Sequence, residues 1–169
     1  MKILKKSVIV LLSVFAISFA EAQEKPKSSP EKATGTINGA AIEINYSSPS
    51  VRGRKIWGEL VPFDQVWRAG ANEATTFETN KDLIIEGTKL PAGKYSFFLI
   101  PNEKECTIIF NKEAKQWGAY KYDEKKDQLR VKVKPKTQEI SSVEKLVYTI
   151  NPTNVILSWD TWNIGFNVK

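Results

Sequence analysis

The clearest alternation of apolar and charged residues in the chain is Leu129-Arg130-Val131-Lys132-Val133-Lys134. Successive side chains of a strand point to opposite faces of its sheet, so the pattern predicts a strand with one buried and one solvated face. Strands of this kind are typical of antiparallel sheets, because the helices of a parallel sheet cover both of its faces. The stretch therefore favours an antiparallel β protein.

Short strand patterns separated by turn signals continue on both sides of this stretch. The predicted strands are residues 42–46, 75–79, 83–86, 95–100, 106–110, 129–134, 143–150, 155–159 and 162–168. Turns are predicted at 90–93 and at 151–154, and short helical segments at 62–67 and 111–117. We predict an all-β fold, an antiparallel β-sandwich of jelly-roll type with one or two short helices.

The N-terminal segment has the form of a secretory signal. Lysines precede an apolar run at 7–19, and Ala20-Glu21-Ala22 resembles a cleavage site. The run is shorter than the roughly 18 apolar residues of a membrane span, so no span is expected after cleavage. We expect a signal peptide at 1–22, a flexible polar linker at 23–35, a single domain at 36–169, and a periplasmic or secreted protein of unassigned oligomeric state.

The composition excludes several kinds of chemistry. The chain of 169 residues has no histidine and one cysteine, so a Ser-His-Asp site, a His-ligated metal and a disulfide within the chain are excluded. Cys106 lies in an apolar strand pattern and is interpreted as a small buried residue. The acidic turn at 123–127 lacks the ligand spacing of an EF-hand. No metal and no cofactor is predicted.

Three segments of the chain carry a family resemblance. VPFDQVWRAGANEATT at 61–76, LPAGKYS at 90–96 and NKEAKQWGAY at 111–120 occur in this order. From Ile42 to the C-terminus the chain resembles the bacterial family called domain of unknown function 2911, which is typical of Bacteroidetes-type bacteria. The resemblance implies an exported, β-rich protein and assigns no activity to any residue.

The densest group of chemically useful side chains lies between Trp57 and Glu73. Aromatic faces can stack on a sugar ring, while arginine, asparagine and carboxylate groups can hydrogen-bond its hydroxyls. A second aromatic cluster follows at 117–122. The candidate ligand-binding residues are Trp57, Asp64, Trp67, Arg68, Asn72, Glu73, Trp117 and Tyr120. The structural alternative is that Trp67 fills the core, Arg68 pairs with Glu73 or Asp64, and Asn72 stabilises a turn.

Three functions follow from these residues. The favoured one is a non-catalytic module that binds a small molecule or glycan. The second is a glycosidase-like hydrolase that uses Asp64 and Glu73, which requires the two carboxyl groups to face one cleft. The third is an envelope component whose aromatic patch meets a protein. The basic stripe from Arg130 to Lys136 is interpreted as protection of a sheet edge, and no nucleic-acid partner is expected.

Overall fold

The computed structural model describes residues 27–138 and 141–169, so the predicted signal peptide lies outside the described residues. The described chain forms strands connected by turns and loops. They are β1 (Ser29–Ile37), β2 (Ala40–Ser48), β3 (Thr76–Thr79), β4 (Leu83–Ile85), β5 (Thr88–Leu90), β6 (Gly93–Ile100), β7 (Cys106–Asn111), β8 (Asp127–Val133), β9 (Lys136–Thr137), β10 (Val143–Asn151), β11 (Asn154–Asp160) and β12 (Trp162–Asn167).

The strands build two main antiparallel sheets. The larger sheet has the order β1-β2-β3-β6-β7-β8, and the smaller has the order β10-β11-β12-β9. A separate hairpin of β4 and β5 joins the end of β12 through the bridge between Ile85 and Val168. The all-β, antiparallel prediction is confirmed, and the two sheets pack as a sandwich.

Aromatic rings fill the space between the sheets. The fully buried rings of Phe77 and Phe97 lie 5.1 and 5.4 Å from the ring of Phe110, both edge to face. Phe166 of β12 brings the smaller sheet into this group, 5.9 Å from Phe97. Edge-to-face pairs suit the ring quadrupole, so this cluster stabilises the sandwich by geometry as well as by apolar burial.

The chain passes from one sheet to the other just after β2. The Ser48 hydroxyl donates to the carbonyl of Leu146 at 2.7 Å, and the amide of Val51 donates to the carbonyl of Glu144 at 2.8 Å. The amide of Leu146 donates in turn to the carbonyl of Pro49 at 2.9 Å. These bonds tie β2 to β10, and they place the long connection from Val51 to Thr75 over one end of the sandwich.

The predicted linker at 23–35 is wrong for its second half, because Ser29–Ile37 is an edge strand that pairs with β2 along its whole length. Before the buried Ile37, its inward face has only the small residues Ala33 and Gly35. Gly35 faces the side chain of Ile150, and a Cβ atom there would lie 2.6 Å from Ile150 Cγ2. The strand therefore carries little hydrophobic alternation. Residues 23–26 lie outside the described residues.

Neither predicted helical segment is a helix. At 62–67 the amides of Asp64 and Trp67 donate to the carbonyls of Pro101 and Leu99, so the segment is a turn at Phe63 and Asp64 followed by a bridge from Trp67 to β6. At 111–117 the Asn111 side chain accepts from the amide of Glu113 at 3.0 Å and directs the chain into a loop. The one helical element among the described residues is a 3-10 turn at Glu124–Lys126.

The fold also bears on the predictions for Cys106 and for a membrane span. Cys106 is completely buried, and burial raises the pKa of its thiol, so the interpretation as a small core residue is confirmed. Among the residues that the structure covers, no helix combines the length and the hydropathy needed to cross a membrane.

Candidate functional site

A concave site of about 330 Å³ lies at the end of the sandwich that the long connection covers. Its walls come from the β2–β10 crossover, from the loop after Trp67 and from β11. We call it the arginine hollow, defined by Arg52, Arg54, Trp67, Arg68, Asn72 and Trp159, all of which line it. Of the eight residues predicted from the sequence, Trp67, Arg68 and Asn72 therefore meet at one place.

Backbone hydrogen bonds fix the position of Arg68. Trp67 and Leu99 exchange two bonds of 2.8 and 2.9 Å, which hold this part of the chain beside β6. The amide of Thr75 donates to the carbonyl of Arg68, and the Thr75 hydroxyl donates to the carbonyl of Ala69 at 2.9 Å. The buried Tyr148 hydroxyl donates to the same Ala69 carbonyl at 2.8 Å. The loop from Arg68 to Thr75 is thus closed on itself and anchored to both sheets.

Unusual backbone conformations concentrate around the hollow. Arg52, Ala69 and Asn72 have φ angles of 50°, 52° and 59°, in the left-handed region that residues other than glycine seldom adopt. Gly70 lies between them, and a Cβ atom there would approach the Thr75 hydroxyl to 2.8 Å. Strain of this kind persists where the surrounding structure enforces it, and it is commonest at functional sites.

A group of tryptophans forms the floor of this end of the sandwich. Trp57 stacks on Trp162 at 4.6 Å, and Trp67 stacks on Trp159 at 5.7 Å. Trp57 and Trp159 are buried, and neither indole nitrogen has a hydrogen-bond partner in the described part of the chain. Trp57 is therefore a core residue and does not line the hollow, whereas Trp67, which the structural alternative placed in the core, is half-buried and lines it.

Among the residues that the structure describes, the cations of the hollow have no carboxylate partners. The chain has four arginines, and only Arg130 forms ion pairs within residues 27–138 and 141–169, with Glu124 and Asp127. Arg54 donates to the carbonyls of Val51 and Ser50, and Arg52 donates to that of Lys27. The predicted pairing of Arg68 with Glu73 or Asp64 is wrong.

Arg68 is the most buried of these cations. Its Nε atom is buried and has no acceptor among the described residues. Burial lowers the pKa of the Arg68 guanidinium from its ordinary value, and the Tyr120 phenol acts weakly in the opposite direction. Because an arginine stays charged even after a lowered pKa, the hollow holds a partly desolvated positive charge.

The second predicted cluster lies beside the same loop. The amide of Gly118 donates to the carbonyl of Asn72 at 3.1 Å, and Glu73 forms a strand-like bridge with Trp117. Trp117 and Tyr120 are 63% and 85% exposed. The second cluster therefore joins the loop that carries Asn72 through backbone contacts, but neither Trp117 nor Tyr120 lines the arginine hollow.

Asp64 and Glu73 do not share a cleft. Asp64 is exposed, accepts a bond of 2.8 Å from Asn102 Nδ2, and lines a shallow hollow with Phe63 and Asn102. Glu73 is exposed and lines a different groove, together with Thr76 and other residues. The geometry required for two cooperating carboxyl groups is not met by this pair.

The remaining charged motifs are structural. No group of three or more metal-ligating side chains occurs in the described ranges, and Asp123 accepts the amide of Lys125 at 3.0 Å to cap the 3-10 turn. Of the predicted basic stripe, Arg130 and Lys132 lie on edge strand β8, where Lys132 pairs with Glu105 at 2.8 Å. Lys134 follows β8, and Lys136 belongs to β9 of the other sheet, so the stripe does not lie on a single strand.

Sequence reasoning missed Arg52, Arg54 and Trp159 as parts of the site. The signal for the arginines was present, because three of the four arginines fall between residues 52 and 68. For Trp159 there was no local signal, since β11 reaches the hollow only through the packing of the two sheets.

Comparisons with known proteins place the chain in a family. No curated protein and no solved structure matches it. The family model described as "Protein of unknown function (DUF2911)" matches residues 28–168, a range that includes β1 and every later strand as well as the arginine hollow from Ser28 onward. The chain belongs to the DUF2911 family of proteins of unknown function.

Proposed function

We propose that this protein is an exported, non-catalytic module that binds a small ligand or a glycan in the arginine hollow. One observation carries the proposal: Trp67, Arg68 and Asn72 line a single concave site. Its volume of about 330 Å³ lies near the lower end of the range of about 300–1,000 Å³ that is usual for ligand sites. A ligand about the size of one sugar ring suits this volume better than a long chain.

The mixture of groups in the hollow supports a binding role. Half-buried Trp67 offers an apolar face, and Arg68 and Asn72 offer hydrogen-bond donors that can fix the orientation of a ligand. The loop that carries them is already anchored by Thr75 and Tyr148. A site that is ordered in advance loses less conformational entropy when it binds.

The two alternative functions have different support. A hydrolase based on Asp64 and Glu73 is less favoured, because the two carboxylates line separate concavities. A protein-interaction role is favoured by one observation, the exposed rings of Trp117 and Tyr120 on the rim side of the loop. This surface joins the loop that carries Asn72 through backbone contacts.

Replacing Asn72 by glycine tests the proposed site. Asn72 has a φ of 59°, which glycine adopts freely, so the substitution removes the side-chain amide while the loop keeps its shape. The probes are a library of monosaccharides, sugar acids, sugar phosphates, amino acids and nucleotides, screened by thermal shift. Compounds that stabilise the wild-type protein should bind Asn72→Gly about tenfold more weakly, the size expected for one lost hydrogen bond.

Asn38→Gly is the matched control. Asn38 also has a positive φ, 48°, but it lies in the turn between β1 and β2, away from the hollow. This variant should respond to each compound as the wild-type protein does. The proposal is wrong if no compound in the library stabilises the wild-type protein, or if Asn72→Gly keeps the full response.

A further inference from the structure

The charge distribution of the arginine hollow is one-sided. Its lining includes the cations Lys27, Arg52, Arg54 and Arg68, and it includes no carboxylate. The nearest acid that contacts these residues, Glu144, accepts from the backbone amide of Arg52 at 3.0 Å and not from a guanidinium. A cleft lined by one sign of charge attracts ligands of the opposite sign.

Arg68 is the cation of the hollow that has a buried donor without an acceptor among the described residues. A guanidinium that is partly removed from water keeps its charge and five N–H donors, and an unpaired donor in a buried position is unfavourable. Exposed lysines and arginines can be solvated by water, but Arg68 Nε is not accessible to it. Within the described part of the protein no carboxylate pairs with Arg68, so an anionic ligand that reached the guanidinium would compensate this charge.

Trp159 provides a second, independent indication. It is 99% buried and lines the hollow, and its indole N–H has no acceptor among the described residues. Indole nitrogen only donates. The walls of the hollow therefore contain unpaired donors of two kinds just below its accessible surface, which favours an acceptor such as an oxyanion inside it.

From these observations we infer that the ligand is a small molecule of about one ring with a carboxylate, phosphate or sulfate group, which Arg68 binds. The inference rests on the proposed function, since it names the chemical class of the ligand of the same site. The planar guanidinium matches the geometry of such oxyanions through paired N–H bonds, which a lysine could not form. Trp67, which lines the hollow, offers an apolar face to the ring that carries the anion.

The experiment compares anionic sugars with their neutral parents. Galacturonate, galactose 6-phosphate and galactose 6-sulfate are titrated against galactose, and the corresponding glucose derivatives against glucose, by isothermal titration calorimetry. At least one anion should bind the wild-type protein about tenfold or more tightly than its neutral parent. Its affinity should fall when salt is raised, because ions screen the attraction. The derivative that binds identifies which oxyanion is preferred.

Arg68→Met and Arg130→Met form the matched pair of variants. Methionine keeps an unbranched apolar stem and removes the charge. Arg68→Met should lose the preference for the anion over its neutral parent, while Arg130→Met, changed at the arginine that has carboxylate partners, should keep it. The inference is overturned if no anion binds more tightly than its parent, or if Arg68→Met keeps the preference. Tight binding of a neutral sugar alone would overturn the inference and leave the proposed function standing.

Discussion

Replacing Ile37 by aspartate is expected to lower the free energy of unfolding by about 4 kcal/mol or more, because the new carboxylate would be buried without a partner. Ile37 is the last residue of β1 and is completely buried. A domain of this size has a total stability of about 5–15 kcal/mol, so the variant would keep little stability if the wild-type value lies at the lower end of this range. Urea denaturation followed by tryptophan fluorescence measures the change.

Thr36→Asp is the control for this prediction. Thr36 precedes Ile37 on the same strand, but its side chain is exposed on the opposite face. The same substitution there should change the free energy of unfolding by no more than about 0.5 kcal/mol. Equal effects at the two positions would show that the N-terminal segment is not a strand with one buried face, which would contradict the sandwich described above.

Replacing Trp159 by alanine is expected to cost about 3–5 kcal/mol, the usual range for removing a large aromatic side chain from a core. Trp159 is 1% exposed and contacts both Trp57 and Trp67, whose rings lie 6.0 and 5.7 Å away. Its loss would leave a cavity directly beneath the arginine hollow. The urea midpoint should therefore fall, and ligand binding should weaken in the fraction that stays folded.

Trp117→Ala provides the comparison. This tryptophan is 63% exposed, so its removal should change the free energy of unfolding by about 0.5 kcal/mol or less. If the two variants have similar stability, Trp159 is not part of the core and does not support the floor of the arginine hollow.

The strands whose residues alternate were predictable, and the very short strands and the strand with few large apolar residues were not. β2 and β8 place apolar and polar residues on opposite faces, so the period of two is visible in the sequence. β1 carries small and polar residues, and β5 and β9 have only three and two residues. Such strands form because a neighbouring strand supplies their hydrogen bonds. The side-chain pattern of the strand itself does not show that a neighbouring strand is there.

The helices were mispredicted for a related reason. The spacing at 111–117 is compatible with a helix, but Asn111 makes side-chain bonds that direct the chain elsewhere. Its amide donates to the carbonyl of Asp123 at 2.9 Å and to the Asp127 carboxylate at 2.8 Å. These partners are more than ten residues away in sequence, so local preference was overridden by tertiary contacts.

The part of the candidate site whose residues are close together in sequence was predictable. Trp67, Arg68 and Asn72 lie within six residues, and their crowding pointed to the loop. Arg52 reaches the hollow because the chain after β2 pairs with β10, a contact across more than ninety residues. Asp64 and Glu73 are close to Arg68 in sequence, but neither pairs with it in the described structure. Only the three-dimensional positions of these side chains show this, so the sequence did not predict it.

In the proposed function, Arg68 is held in place for a ligand and contributes little to the stability of the fold. The most direct test is the free energy of unfolding of Arg68→Met without ligand, measured in urea. We predict a value equal to or above that of the wild-type protein, because an unpaired, partly buried charge is removed. Arg130→Met, which breaks an exposed pair with Glu124 and a pair with the largely buried Asp127, should lose about 1 kcal/mol or more. A loss of about 2 kcal/mol or more in Arg68→Met would contradict the claim, since it would make Arg68 a structural residue.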